Sequence, residues 1–205
     1  MYALVMAGGK GRRMKKGGIK TEKPLIEICG KPIIERIIDV LNDAPSIDKV
    51  CVVVSPHVPH TIRWLADRDI EMFMGRGEGY LQDMMEAVES LKIKEPFIVC
   101  MGDLPLLNTE LIELIVSEYG KHEEPALSVH VPLRLCRQLN IHPDTVLLGD
   151  LVPCGINILR GDMVRHEQDE YKFVINRVEG AVNINWPHDI TIAEKLCGRK
   201  RLWIS

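Results

Sequence analysis

A glycine-rich, cationic segment directly follows the first apolar run of the chain. Residues 2–7 are apolar, and three glycines follow them within four positions: Gly8, Gly9 and Gly11. Because glycine has no Cβ, the backbone N–H groups of such a loop can approach phosphate oxygens closely. Seven lysines and arginines but a single acid, Glu22, lie between positions 10 and 23. The segment therefore predicts a site for a triphosphate.

This segment differs from two common phosphate-binding motifs. It contains no G-x-x-x-x-G-K-[ST] sequence, which excludes a P-loop. Met14 stands where a dinucleotide-binding G-x-G-x-x-G turn needs its third glycine, which excludes a nicotinamide-dependent oxidoreductase.

Asp103 supplies a carboxylate shortly after another apolar run, residues 97–101. The carboxyl ends of parallel strands share one edge of a sheet, so Asp103 is predicted to lie near the glycine loop. There it can hold Mg²⁺ together with water molecules. The alternative is an aspartate that caps the turn before Pro105.

The elements that would position these residues alternate between strand and helix. Short apolar runs predict strands at 2–7, 25–29, 49–55, 70–74, 97–101, 126–131, 155–159 and 182–185. Amphipathic spacing predicts helices at 31–42, 59–67, 80–91, 109–119, 134–140 and 189–196. We therefore expect an α/β fold with three layers, α/β/α, and a mostly parallel sheet that binds its ligands beyond the carboxyl ends of the strands.

The composition indicates one soluble domain, residues 1–205. The net charge of −3 and the 5% aromatic content exclude a general nucleic-acid binder. No apolar run approaches the eighteen residues of a membrane span, and the six cysteines form no C-x-x-C pair. We expect a cytoplasmic protein with reduced, mostly buried thiols. Whether it forms a homodimer is left open by the sequence.

Several motifs together resemble those of the nucleotidyltransferases that activate phosphorylated acceptors with an NTP. The motifs are 7–14 (AGGKGRRM), 22–25 (EKPL), 29–34 (CGKPII), 102–106 (GDLPL), 152–157 (VPCGIN) and 182–185 (VNIN). Among these enzymes the chain is most similar to the archaeal adenosylcobinamide-phosphate guanylyltransferases. The alternatives are a molybdenum-cofactor guanylyltransferase and another NTP transferase with a sugar-phosphate-like acceptor. Arg12 stands where the family usually has Thr or Ser, and the loop from Met14 to Glu22 is longer than usual.

The resemblance implies a nucleotide-diphospho-sugar-transferase-like fold and a reaction. In that reaction, GMP passes from GTP to adenosylcobinamide phosphate with Mg²⁺, giving adenosylcobinamide-GDP and pyrophosphate. Residues 1–120 would form the nucleotide-binding part and residues 121–205 the acceptor-binding part. The acceptor phosphate is already an anion, so this chemistry needs fixed cations more than it needs a base.

The resemblance also implies roles for individual residues. Arg13, Lys23 and Asp103 would be catalytic, with Arg13 on the β and γ oxygens and Lys23 on the α-phosphate. The nucleotide would be bound by Ala7, Gly8, Gly9, Gly11, Arg13, Lys23, Gly79 and Asp103. Asp103 and Asn185 would hold the metal, and Gly155, Asn157 and Asn185 would bind the acceptor. For Asn185 the alternative is a cap of the helix that Pro187 opens.

The turn before the third predicted helix, residues 77–80, lies where these enzymes commonly bind the nucleobase. Guanine offers N1–H and N2–H₂ as donors, so carboxylates or carbonyl oxygens are needed to read it. Glu78 and Asp83 are the candidate side chains. His57 and His60 lack a third metal ligand nearby in the sequence, and we interpret them as surface histidines.

Overall fold

The computed structural model describes residues 1–202, with the side chains of residues 1–198. The strands of this part are β1 (Tyr2–Met6), β2 (Glu27–Ile28), β3 (Lys31–Pro32), β4 (Lys49–Val54), β5 (Met72–Met74), β6 (Pro96–Met101), β7 (Ala126–Pro132), β8 (Leu151–Arg160) and β9 (Glu170–Val174). The helices are α1 (Arg12–Lys16), α2 (Ile33–Asn42), α3 (Pro59–Ala66), α4 (Tyr80–Ser90), α5 (Thr109–Tyr119), α6 (Leu133–Gln138), α7 (Val178–Ala181) and α8 (Pro187–Leu202). Short 3₁₀ turns lie at Lys23–Leu25 and Gly161–Met163.

Seven of these strands form one sheet in the order β5-β4-β1-β6-β8-β7-β9. Strand β1 pairs in parallel with β4 and β6, and the β4–β5 and β7–β9 pairs are also parallel. Only β8 runs against its neighbours, β6 and β7. The predicted mostly parallel sheet is thus confirmed. The two remaining strands, β2 and β3, form a separate antiparallel pair.

The sheet is covered by helices on both faces. Ala3 and Val5 of β1 face the larger core cluster, which includes the buried stripe of α2. Leu4 of the same strand faces the smaller cluster, which holds Met84 and Val88 of α4. Each fully buried aliphatic side chain contributes about 1.5–3 kcal/mol through its removal from water. The predicted three layers are therefore confirmed.

The sequence prediction is wrong at the segment 182–185, which forms no strand. Val182 and Ile184 are fully buried, but the Ile184 N–H donates to the Asp103 carbonyl oxygen at 3.0 Å and not to a neighbouring strand. Burial of β-branched side chains in an irregular segment produced the strand-like pattern. The strand predicted at 25–29 is likewise reduced to the two residues of β2.

Four of the helices and strands were not predicted from the sequence. One of them is β3, which occupies the first two residues of the helix predicted at 31–42. Helices α1 and α7 are too short to show an apolar stripe, and β9 lies at the edge of the sheet with alternate residues exposed. Five cysteines are buried, as expected: Cys51, Cys100, Cys136, Cys154 and Cys197. Across residues 1–202, no helix is long and apolar enough to cross a membrane.

Candidate active site

A cleft of about 350 Å³ lies at the carboxyl ends of β1 and β6. Its walls are the glycine loop, helix α1, the 3₁₀ turn that begins at Lys23, and the turn that follows β6. The structure therefore brings together most of the residues predicted to bind phosphate and metal: Ala7, Gly9, Gly11, Arg13, Lys23, Asp103 and Asn185. Gly8 and Gly79 line a neighbouring cleft described below.

The glycine loop is tied to the end of the adjacent strand β4 by Ser55. This serine is fully buried, and its hydroxyl donates to the Gly8 carbonyl oxygen at 2.7 Å. A Cβ on Gly8 would lie only 3.0 Å from the Ser55 Cβ, so a glycine allows this close approach. Ser55 was not among the predicted site residues, although it ends the strand predicted at 49–55, at the same edge of the sheet as Asp103.

Helix α1 presents Arg13 to the cleft. Gly11 begins this helix with φ at 58°, a left-handed conformation that favours glycine, and Met14 anchors the helix in the core. The Arg13 guanidinium forms an ion pair with Asp144, in the loop between α6 and β8. Both side chains are about two-fifths exposed. A triphosphate bound at Arg13 must therefore compete with the Asp144 carboxylate.

The Lys23 ammonium contacts two oxygen atoms, one from the turn after β6 and one from the segment before α8. Its Nζ donates to Asp103 Oδ2 at 2.5 Å and to Asn185 Oδ1 at 3.1 Å. Asp103 is nearly buried, with 7% of its surface exposed. Two oxygens, one of them charged, thus face a single cation beside the glycine loop.

The second oxygen of Asp103 is held by Asn183, a residue that the sequence analysis missed. Asn183 Nδ2 donates to Asp103 Oδ1 at 3.3 Å and to the Cys154 carbonyl oxygen at 3.3 Å. The carboxylate therefore faces the cleft, and the alternative role as a cap of the turn before Pro105 is not seen. Asn183 also joins the turn after β6 to strand β8.

The segment that contains Asn185 is fixed by Asp189 in the first turn of α8. Asp189 is 2% exposed, and its Oδ2 accepts hydrogen bonds from the backbone N–H groups of Asn185 and Trp186, at 2.8 and 2.7 Å. The carboxylate also benefits from the positive end of the helix dipole. Asp189 thus caps α8, and the Asn185 side chain points to Lys23 instead of capping the helix.

A second cleft, of about 270 Å³, adjoins the first at Arg13, Asp103 and Asn185, and Asn183 also lines it. Gly155 lies in its wall with φ at 76°, and a Cβ there would be 2.6 Å from Met101 Cγ. Asn157, predicted to share the acceptor site with Gly155, does not line this cleft. It lies beside the hydroxyl of Tyr80, below α4.

The loop between α6 and β8 forms the opposite wall of the second cleft. It contributes His142, Pro143, Asp144 and Thr145. Asp144 is the residue that pairs with Arg13, so this loop contacts both clefts. No helix or strand was predicted for residues 141–150, and none of these residues was among the predicted site residues.

A third cleft, of about 320 Å³, extends from the glycine loop to the start of α4. It is lined by Gly8 and Gly79, as expected for nucleotide-binding residues, and by Glu78. Asp83 is buried, and its Oδ1 accepts the Gly77 N–H at 3.0 Å, so it shapes the turn. His57 is half-buried and also lines this cleft, whereas His60 is exposed.

Several cations around the first cleft form no ion pair with the side chains of residues 1–198. These exposed side chains are Lys10, Arg12, Lys15, Lys16 and Lys20. Their combined field attracts anions to the glycine loop and accelerates the association of a polyphosphate.

Thiols near the site are unsuited to nucleophilic catalysis. Burial raises the pKa of the Cys100 thiol to about 12, and burial also raises the pKa of Cys154. The thiolate is the nucleophilic form of cysteine, so these groups are unreactive at neutral pH. The arrangement therefore favours direct transfer between phosphates over a covalent cysteine intermediate.

Comparison with known proteins agrees with this geometry. Residues 3–143 match the model of the MobA-like NTP transferase domain. The chain is 33% identical to the adenosylcobinamide-phosphate guanylyltransferase of Methanocaldococcus jannaschii, over 96% of this chain and 97% of that protein. It is 30% identical to a probable molybdenum cofactor guanylyltransferase of Methanosarcina acetivorans, over 59% of this chain and 54% of that protein.

Solved structures support the same fold. The structure of molybdopterin-guanine dinucleotide biosynthesis protein A from Archaeoglobus fulgidus superposes with a TM-score of 0.67, at 18% identity, over 97% of this chain and 100% of that one. The glycine loop, Lys23 and Asp103 all lie within the residues that match the family model. The chain belongs to the MobA-like NTP transferase family, and it is a nucleotidyltransferase.

Proposed function

We propose that this nucleotidyltransferase transfers GMP from GTP to adenosylcobinamide phosphate, releasing pyrophosphate. One observation carries the chemistry: the Lys23 ammonium is held between Asp103 and Asn185 beside a glycine loop. The identity of the two substrates is supported by the similarity to an adenosylcobinamide-phosphate guanylyltransferase over almost the whole of both chains. The similarity to the molybdenum cofactor enzyme covers much less of both chains.

In the proposed reaction, an oxygen of the acceptor phosphate attacks the α-phosphorus of GTP. The bond from that phosphorus to the bridging oxygen breaks, and pyrophosphate leaves with the electron pair. Negative charge therefore grows on the α-phosphoryl group and on the leaving group, and fixed cations lower the barrier.

The cations of the first cleft suit these two positions. Lys23 is a point charge and would stabilise the α-phosphoryl group, whereas Arg13 can hold the β and γ oxygens with two parallel hydrogen bonds. The N–H groups of the glycine loop, at Gly8, Gly9 and Gly11, would bind the remaining oxygens. Each such contact, when lost, typically costs about 10²- to 10³-fold in rate.

The residues around Lys23 fit a divalent cation that enters with the nucleotide. Asp103 Oδ2 and Asn185 Oδ1 already converge on one cation, the Lys23 ammonium, and oxygen donors of this kind suit Mg²⁺. Among residues 1–198 no group of three metal-binding side chains is present, so triphosphate oxygens and water would complete the ligand set. Asp103 and Asn185 would hold Mg²⁺, which would supply neutralisation of the triphosphate charge, and Lys23 would contact the α-phosphate.

The third cleft would receive the guanine base, and the second cleft would receive the acceptor. Glu78 is exposed in the third cleft and can accept hydrogen bonds from the guanine N–H donors. In the second cleft, Gly155, Asn183 and the loop between α6 and β8 surround the space next to Lys23. The lining of the third cleft, which comes from residues 6–101, and the contribution of residues 136–189 to the second cleft support the proposal of a nucleotide-binding part in residues 1–120 and an acceptor-binding part in residues 121–205.

Two measurements test this function. Calorimetric titration with GTP, ATP, CTP and UTP at the same Mg²⁺ and salt concentrations should show selective GTP binding; equal affinity for ATP would contradict the assignment of the base. Pyrophosphate release should be seen with GTP and adenosylcobinamide phosphate. Release only with a molybdenum-bound molybdopterin acceptor would instead support the alternative enzyme.

A further inference from the structure

The only acid of the cationic segment, Glu22, does not pair with any of the neighbouring lysines or arginines. Its carboxylate is directed at the first turn of α3, nearly forty residues away in the sequence. Oε1 accepts the His60 N–H at 2.9 Å, and Oε2 accepts both the N–H and the hydroxyl of Thr61, at 2.7 and 2.6 Å. Glu22 is 9% exposed and Thr61 is fully buried.

These bonds complete the start of helix α3. The first N–H groups of a helix have no partner within the helix, and the residue before α3 is Val58, whose side chain cannot cap it. A carboxylate at this end is also stabilised by the helix dipole. Glu22 therefore acts as a cap supplied by a distant segment of the chain.

The same residue fixes the backbone that carries Lys23. The Glu22 carbonyl oxygen accepts the Leu25 N–H at 2.9 Å, which closes the 3₁₀ turn, and the buried Pro24 anchors that turn in the core. Thr21 on the other side is exposed. The Glu22 side chain thus attaches the beginning of the turn that carries Lys23 to the start of α3.

The direction of the Glu22 carboxylate also leaves the Lys23 charge available. An adjacent acid that faced the ammonium would compete with phosphate for it. Because Glu22 is engaged by α3, Lys23 reaches across the cleft to Asp103 and Asn185 instead.

We propose that Glu22 is a positioning residue for Lys23, which it holds at the reacting phosphate by fastening the Lys23 turn to the start of α3. This inference rests on the proposed role of Lys23. A displacement of a catalytic group by about 1 Å can cost up to about 10²-fold in rate, so the attachment has a measurable effect on turnover.

Glu22→Gln tests the proposal because it preserves the shape of the side chain. The amide nitrogen would face a backbone N–H, so at least one of the three bonds is lost. We expect kcat to fall about 10- to 10²-fold, with a smaller change in KM for GTP. Thr61→Val removes a single bond to the same carboxylate at constant side-chain shape, and a smaller loss in the same direction is expected. Glu27→Gln, at an exposed position on β2, is the matched control.

A double-mutant cycle separates positioning from stability alone. In a Lys23→Ala background, Glu22→Gln should lower kcat by less than about twofold, because the group that it positions is gone. The melting temperature should still fall in both backgrounds. An equal loss of kcat in both backgrounds, or a lower melting temperature with kcat unchanged, would overturn the proposal.

The same cycle is measured on GTP affinity, by calorimetry with Mg²⁺. Failure of wild-type protein to release pyrophosphate with any acceptor would contradict the proposed function. The titrations alone would then test whether Glu22 positions Lys23. Weaker GTP binding in Glu22→Gln that disappears in the Lys23→Ala background supports it, and the same weakening in both backgrounds refutes it.

Discussion

Replacement of Asp103 by asparagine should have opposite effects on nucleotide binding and on catalysis. The substitution keeps the size of the side chain and removes its charge. Asp103 Oδ2 lies 2.5 Å from Lys23 Nζ, and the side chain is nearly buried. The carboxylate therefore acts on any anion that Lys23 binds, with little screening by solvent.

The size of this effect follows from the geometry. A phosphate oxygen at about 2.8 Å from Lys23 Nζ would lie about 5 Å from the carboxylate. At an effective dielectric constant of about 20, two negative charges at that distance repel by about 3 kcal/mol. Part of this repulsion is relieved by movement of the lysine, so we expect metal-free GTP to bind about tenfold more tightly to Asp103→Asn.

With Mg²⁺ present, the sign of the effect reverses. In the proposed mechanism the carboxylate would then be a ligand of the cation that neutralises the triphosphate, and its loss should lower turnover by about 10²-fold or more. Calorimetric titrations with GTP, in chelator and in Mg²⁺, are combined with measurement of pyrophosphate release. Asp43→Asn, at an exposed position after α2, is the control. Near-normal turnover, or weaker metal-free binding, in Asp103→Asn would refute this reasoning.

Three further substitutions have distinct expected outcomes. Arg13→Ala should lower turnover by about 10²-fold with no loss of melting temperature, since this side chain is two-fifths exposed; a large drop in melting temperature would indicate a structural role. Gly155→Ala should destabilise the fold by about 1–3 kcal/mol in denaturant titrations, because φ is positive and the new Cβ meets Met101; unchanged stability would contradict this. Gly17→Ala places a Cβ 2.3 Å from the rigid ring of Pro187, so it should displace α1 from α8 and lower turnover. Normal turnover would show that the contact between these two helices is not needed for catalysis.

The sequence was sufficient to predict the central parallel strands of the sheet and most residues of the first cleft. Apolar runs that end in glycine or aspartate predicted the parallel strands, and parallel strands place their carboxyl ends together. This reasoning placed Asp103 beside the glycine loop, as observed. The same rule applied to the end of β4 would have found Ser55.

The remaining parts of the site depend on bonds that leave no local pattern. Asn183 lies within residues 182–185, and Asp189 lies shortly after them. The buried side chains of Val182 and Ile184 give this segment the pattern of a strand, but its backbone is hydrogen-bonded to the turn after β6. Glu22 caps a helix that begins 37 positions later, so propensity rules for its own neighbourhood give no signal. These contacts join residues that are distant in the sequence, and the local periodicity of apolar residues carries no information about them.

Strand β8 runs in the opposite direction to its neighbours, and this determines which loop can change the second cleft. Because β8 is antiparallel to β6, its beginning, and not its end, reaches the site edge, and Gly155 lies there beside Met101. The loop before β8 therefore lines the second cleft, which we propose binds the acceptor, while β1 carries the glycine loop. Insertions or deletions in residues 139–150 can remodel the second cleft without changing the register of β1, β4 and β6. Acceptor choice can thus diverge among related enzymes while the nucleotide chemistry stays the same.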